Sequence, residues 1–128
     1  MSMRSPLGRV RGLGSAKEGV GHWWAQRLTS LALIPLGVWF VASVVALTGA
    51  DYASVRGWIG SPVVAGLLVL LIVTTFFHGA LGLQAVIEDY VHHDGAKLAA
   101  LLAVNGLAIL LALAGVLAVL AVLFGARA

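Results

Sequence analysis

The chain has 128 residues, 61% of them hydrophobic and 10% charged, with a formal net charge of +3. Soluble domains carry about a quarter charged residues, so eight basic and five acidic side chains are too few to cover a water-soluble surface, and the bilayer is the natural solvent. The chain has no cysteine, which excludes disulfides, thiolate catalysis, Cys-ligated zinc and iron–sulfur clusters ligated from this chain. Its basic excess gathers at the N-terminus and reads as membrane orientation, not nucleic-acid binding.

Residues 1–27 form a polar, basic segment with Arg4, Arg9, Arg11, Lys17 and Arg27 against the single acid Glu18. Its composition shares features with a mitochondrial presequence, but a short cytoplasmic tail is the plainer and preferred reading. Residues 28–128 are read as a three-helix transmembrane domain. The first uncharged run, 28–50, is long enough at ~1.5 Å per residue to cross a hydrocarbon core of ~30 Å. Pro35 falls inside it and suggests a kink that a neighbouring helix helps to satisfy.

A short polar loop with Asp51 and Arg56 follows. Ser61-Pro62 reads as a helix start, with Ser61 as cap and Pro62 in the first turn. The second span is placed at 62–87, with a helical extension beyond it. The acidic stretch Glu88 to Gly95 is the second loop or the end of that helix. The third span, 98–125, has Asn105 as its one strongly polar side chain. Gly106 and Gly115 there allow close helix approach. The fold class is therefore all-α, with three membrane spans.

Five Lys and Arg residues precede the first span, whereas Arg56, Lys97 and Arg127 stand alone in the two loops and the C-terminal tail. The positive-inside rule puts the N-terminus on the cytoplasmic side, or the equivalent matrix side. Three spans then place the second loop inside and the C-terminus outside.

His78 is the one ionisable residue deep in a span. Such a group needs a partner or a cavity and is a functional candidate by default. A neutral histidine bonded to another helix is the plainer alternative, and a proton relay is a third. Gly79 and Gly82 beside it leave space for a flat ligand such as haem, although glycines at these positions also serve plain helix packing. A neutral histidine is a suitable axial haem ligand. His22, His92 and His93 all lie at span ends, so a second histidine ligand must come from another chain.

Asp89 lies 11 residues beyond His78. At ~100° per residue this is three turns and ~20°, so the two share a helix face about 16 Å apart along the axis. Tyr90 adds a phenol able to donate a hydrogen bond to a carbonyl, or serves as an aromatic-belt residue. Asp89 reads equally as a solvated end charge. In the cluster His22-Trp23-Trp24-Ala25-Gln26-Arg27 the tryptophans suit an interfacial anchor. Arg27 is expected at the same depth as Asp89 and Tyr90, able to pair with Asp89 or a haem propionate. Adjacent His92 and His93 read as solvated loop residues. No Walker loop, dinucleotide fingerprint, zinc-protease motif or nucleophile elbow is present.

Two stretches carry a resemblance. One is Ser15-Ala16-Lys17-Glu18-Gly19 followed by His22-Trp23-Trp24-Ala25-Gln26-Arg27-Leu28-Thr29-Ser30. The other is His78-Gly79-Ala80-Leu81-Gly82-Leu83-Gln84-Ala85-Val86-Ile87-Glu88-Asp89-Tyr90-Val91. Together they resemble the small hydrophobic membrane-anchor subunit of succinate dehydrogenase, respiratory complex II. The second pairs a haem-ligand histidine with an Asp-Tyr dipeptide 11 residues on. The resemblance implies a subunit that is non-catalytic alone. It would tether a flavoprotein and an iron–sulfur subunit beside a larger cytochrome b anchor, in the bacterial inner membrane in preference to the mitochondrial one.

It further implies a b-type haem shared between the two anchors, with His78 as axial ligand to its iron, and ubiquinone as substrate. Tyr90 would hydrogen-bond a quinone carbonyl, with Asp89 beside it, and Arg27 would lie near the haem propionates and the quinone pocket. An anchor of a fumarate reductase and a non-redox structural anchor are the alternatives.

Overall fold

The computed structural model describes residues 5–11 and 19–125. Arg4, Lys17, Glu18 and Arg127, with the Ser15–Glu18 part of the first motif, lie outside the described residues. Those described form five helices and no strand: α1 (Pro6–Val10), α2 (Gly19–Ala46), α3 (Tyr52–Ile59), α4 (Pro62–Tyr90) and α5 (Asp94–Gly125). Three of them, α2, α4 and α5, are long and apolar enough to cross a membrane. With 28, 29 and 32 residues, each is longer than the ~20 that a bilayer core needs, so the helices tilt or project. Large apolar side chains lie on their outer surfaces, Val38, Val45, Leu102 and Ile109 among them. Such exposure suits lipid contact.

Helix α2 begins at Gly19, so His22 to Arg27 are already helical and continue the first span towards the N-terminus. The helix runs through Pro35, which has no amide proton to offer the Leu31 carbonyl. It ends in a turn at Leu47–Gly49. Gly49 there takes a φ of 82°, a left-handed conformation that glycine adopts without a Cβ penalty.

The loop between the first two spans holds a helix that its polar residues did not suggest. Tyr52–Ile59 folds as α3, with Asp51 as N-cap accepting from the Ser54 amide at 2.9 Å. Hydrogen bonding by Ser54, its hydroxyl first and its amide second, holds the Asp51 carboxyl below its ordinary range. The cap is thus present above that range and is lost as pH falls through the lowered pKa. Trp58 of α3 stacks on Trp39 of α2, ring centroids 5.9 Å apart. Ser61 does occupy the N-cap position of α4, with Pro62 in the first turn, but its side chain makes no capping bond.

Helix α4 lies between the other two spans and packs against both, while α2 and α5 make no close backbone approach to each other. One end is closed by a small core of Ala65, Leu68 and Val119, with Trp39, Trp58 and Ile72 packed around it. Gly115 is part of this contact: a Cβ there would sit 3.2 Å from Ile72 Cγ2. Gly106 faces nothing within 4 Å, so it does not serve packing within this chain. The opposite end carries His78, Arg27, Asp89 and Tyr90. A three-helix arrangement in which the outer two helices do not meet leaves long faces of all three open.

The sidedness follows from three spans and the basic N-terminal segment. Cysteines introduced at Ser5 and near Arg127 should label from opposite faces of the membrane with an impermeant reagent. Labelling from one face only would contradict three crossings.

Candidate functional site

His78 sits half-buried on α4 and faces α2. Its Nδ1 lies 2.8 Å from Thr29 Oγ1. Thr29 also donates back to the Ala25 carbonyl at 2.7 Å, with the Gln26 carbonyl at 3.1 Å. This is the usual helical arrangement of a threonine hydroxyl over the preceding turn. The bond spans two transmembrane helices and joins the two sequence motifs. His78 Nε2 has no partner among the described residues.

One turn further along α4, the space left by Gly82 is taken by Gln26. A Cβ on Gly82 would meet Gln26 Nε2 at 3.6 Å. The expectation that Gly82 leaves room for a flat ligand is therefore corrected: that room serves helix packing within this chain. Gly79, in contrast, faces open space. Gln26 Oε1 is buried with no hydrogen-bond partner, an acceptor left unsatisfied at the α2–α4 contact.

The Thr29–His78 and Gln26–Gly82 contacts fix an antiparallel register. They put Arg27 level with the turn of α4 that follows His78. Asp89 and Tyr90 lie about two turns further on, roughly 11 Å at ~1.5 Å per residue. Arg27 and Asp89 were expected at one depth; the register separates them because α2 starts well before the uncharged run. Arg27 is exposed and lies over the Trp23 ring, 5.1 Å from its centroid. It makes no ion pair with Asp89. Trp23 in turn packs edge-on against Trp24. Asp89 is exposed and Tyr90 is 77% exposed, so neither is engaged within this chain.

The other histidines sit elsewhere. His92 is exposed in the second loop. His93, read from sequence as a solvated loop residue, helps to start α5. Its Nδ1 accepts from the Ala96 amide at 3.4 Å, and its carbonyl accepts from the Lys97 amide at 2.9 Å. Asn105 turns its amide back to the Leu101 carbonyl of its own helix at 2.8 Å. An apolar cleft of about 410 Å³ runs between α4 and α5, lined by Phe76, Gly79, Leu83, Val104 and Leu107 among others. It includes none of His78, Arg27, Asp89 or Tyr90, so it is a lipid-facing groove and not the site.

A haem bound from one side needs one imidazole nitrogen free, an apolar surround and room beside the ring. His78 meets these terms: Thr29 occupies Nδ1, Nε2 is free, and Gly79 opens onto space. No cluster of three or more His, Cys, Asp or Glu residues able to hold a metal is found among the described residues. This chain would thus supply one ligand and its partner the other.

A three-span integral membrane protein with one half-buried histidine, and with charged and phenolic groups left open at one end, is built as a subunit of a larger membrane complex. Residues 1–124 match the family described as succinate dehydrogenase/fumarate reductase transmembrane subunit, and the chain belongs to that family. Among its relatives is the succinate dehydrogenase hydrophobic membrane anchor subunit of Rickettsia bellii, 29% identical over 116 residues, which are 91% of this chain and 93% of the relative. The subunit of the same name from Rickettsia conorii is 29% identical over 70% of this chain and 72% of its own length. That from Paracoccus denitrificans is 30% identical over 67% of each chain. No solved structure shows a significant match.

Proposed function

We propose that this chain is the small hydrophobic anchor of a succinate:quinone oxidoreductase in a bacterial inner membrane. In this reading a larger cytochrome b anchor covers the open side of α4, and the iron–sulfur and flavoprotein subunits dock at the end where Asp89 and Tyr90 stand. The observation that carries it is the half-buried His78 held across two spans by Thr29 with its second nitrogen free. This sits in a chain whose family consists of such transmembrane subunits.

A b-type haem, when bound, supplies a one-electron store between the iron–sulfur protein and the quinone. The chain's own residues do the rest. His78 offers Nε2 to the iron, and the partner anchor supplies the second imidazole. Arg27, exposed in the turn beside His78, neutralises a propionate by a charge-assisted hydrogen bond. Its distance from Asp89 favours that role over pairing with the acid. At the interfacial end, Tyr90 donates its phenol proton to a ubiquinone carbonyl. Reduction of ubiquinone takes up two electrons and two protons, so the pocket needs a proton source in contact with water, and the exposed Asp89 serves as one.

The test is to tag this chain, extract it in mild detergent and identify what copurifies. Recovery of a flavoprotein, an iron–sulfur protein and a second anchor supports the proposal. Recovery of the chain without redox subunits overturns it in favour of a structural anchor. A recovered enzyme that reduces fumarate with a quinol far faster than it oxidises succinate assigns the anchor to a fumarate reductase.

A further inference from the structure

We propose that Thr29 is a positioning residue for His78: its oxygen accepts the imidazole Nδ1 proton, fixes the tautomer and ring orientation, and raises the electron donation of Nε2 to iron. This rests on the reading of His78 as a haem ligand and goes one residue further from the iron. Proton counting sets the direction of the bond. The threonine hydroxyl has a single proton, and the Ala25 carbonyl at 2.7 Å takes it. Towards His78, 2.8 Å away, the hydroxyl presents a lone pair. The proton in that contact must then come from Nδ1, which leaves Nε2 unprotonated and ready to ligate.

The hydroxyl is also held where it must be. A β-branched side chain in a helix has few χ1 wells, and in this one the back-bond to Ala25 aims the oxygen across the helix interface. An acceptor of this kind behind a ligating histidine makes the imidazole more basic and steadies its plane. The same contact joins α2 to α4 beside the ligand, so the orientation of His78 depends on the first span as well as the second.

The experiment uses the assembled complex and reads the haem itself. Thr29→Val keeps the side chain's shape and removes the acceptor. The haem midpoint potential should rise, because a poorer donor stabilises the ferric form less, and haem affinity should fall by about 10–100-fold, as for other losses behind a metal ligand. Thr29→Ser should restore both towards the parent. If Val disturbs assembly, Thr29→Ala removes the same oxygen with less bulk and is read in the same way. Potential and haem retention unchanged in the Val or Ala variant, with His78→Ala still abolishing the bis-histidine spectrum, would overturn the role of Thr29 and leave His78 as ligand. A His78→Ala complex with an unchanged spectrum would overturn both.

Discussion

Replacing His78 by Ala should abolish the low-spin bis-histidine spectrum of the assembled complex. The residue is half-buried, its Nδ1 is committed to Thr29 at 2.8 Å, and no other histidine of this chain lies at its depth. His93 is tied to the start of α5, and His22 stands nearly two turns of α2 away from Thr29. No ligand from this chain can therefore substitute. Haem retained by the partner's imidazole alone would be high-spin and distinguishable in the oxidised absorption and paramagnetic resonance spectra. An unchanged spectrum and midpoint potential in a fully assembled variant would rule out the ligand role and leave His78 as a packing histidine.

Tyr90→Phe should slow ubiquinone reduction by about 5-fold to 150-fold. Its phenol is exposed at the end of α4 and makes no hydrogen bond within the chain, so its donor is free for a ligand. Leaving a buried acceptor unpaired costs roughly 1–3 kcal/mol, which converts to that range of rates if the loss falls in the transition state. Succinate oxidation with a dye that takes electrons upstream of the quinone should stay near normal, since the flavoprotein is untouched. Both activities are to be measured on one preparation. Equal loss of both would mean that Tyr90 supports assembly, and normal quinone reduction would mean that it is an interfacial aromatic only.

Much of this architecture could be read from the sequence, because membrane spans declare themselves through length and the absence of charge. The runs around Pro35, His78 and Asn105 are long and nearly uncharged, and all three are helical. The first helix starts earlier than its uncharged run, since Arg27 and His22 are tolerated on the interfacial turns of a span. The short α3 was hidden for a different reason. Its stability comes from the Asp51 cap and from Trp58 stacking on Trp39, and the second of these is a contact between residues distant in sequence.

The site was legible one residue at a time but not as an assembly. Intramembrane rarity marks His78, and the 11-residue spacing to Asp89 follows from helix geometry. The partnership of His78 with Thr29, the filling of the Gly82 gap by Gln26, and the depth of Arg27 all depend on the register of α2 against α4. Register between two apolar helices is set by interdigitating side chains and leaves no periodic signal in either one. Thr29 was in plain view within the first motif, as a hydroxyl residue two positions after Arg27. Only the antiparallel pairing gives it a role.

The reading of this chain as a redox anchor rests on one shared feature, a haem held between His78 and a partner. The most direct measurement is a reduced-minus-oxidised spectrum of the complex purified through a tag on this chain, with succinate as reductant. We expect a b-type α-band that appears on adding succinate and decays on adding ubiquinone, and that is lost in its bis-histidine form with His78→Ala. A complex that carries the flavoprotein and iron–sulfur subunits, passes electrons to quinone, and shows no haem absorbance would contradict it.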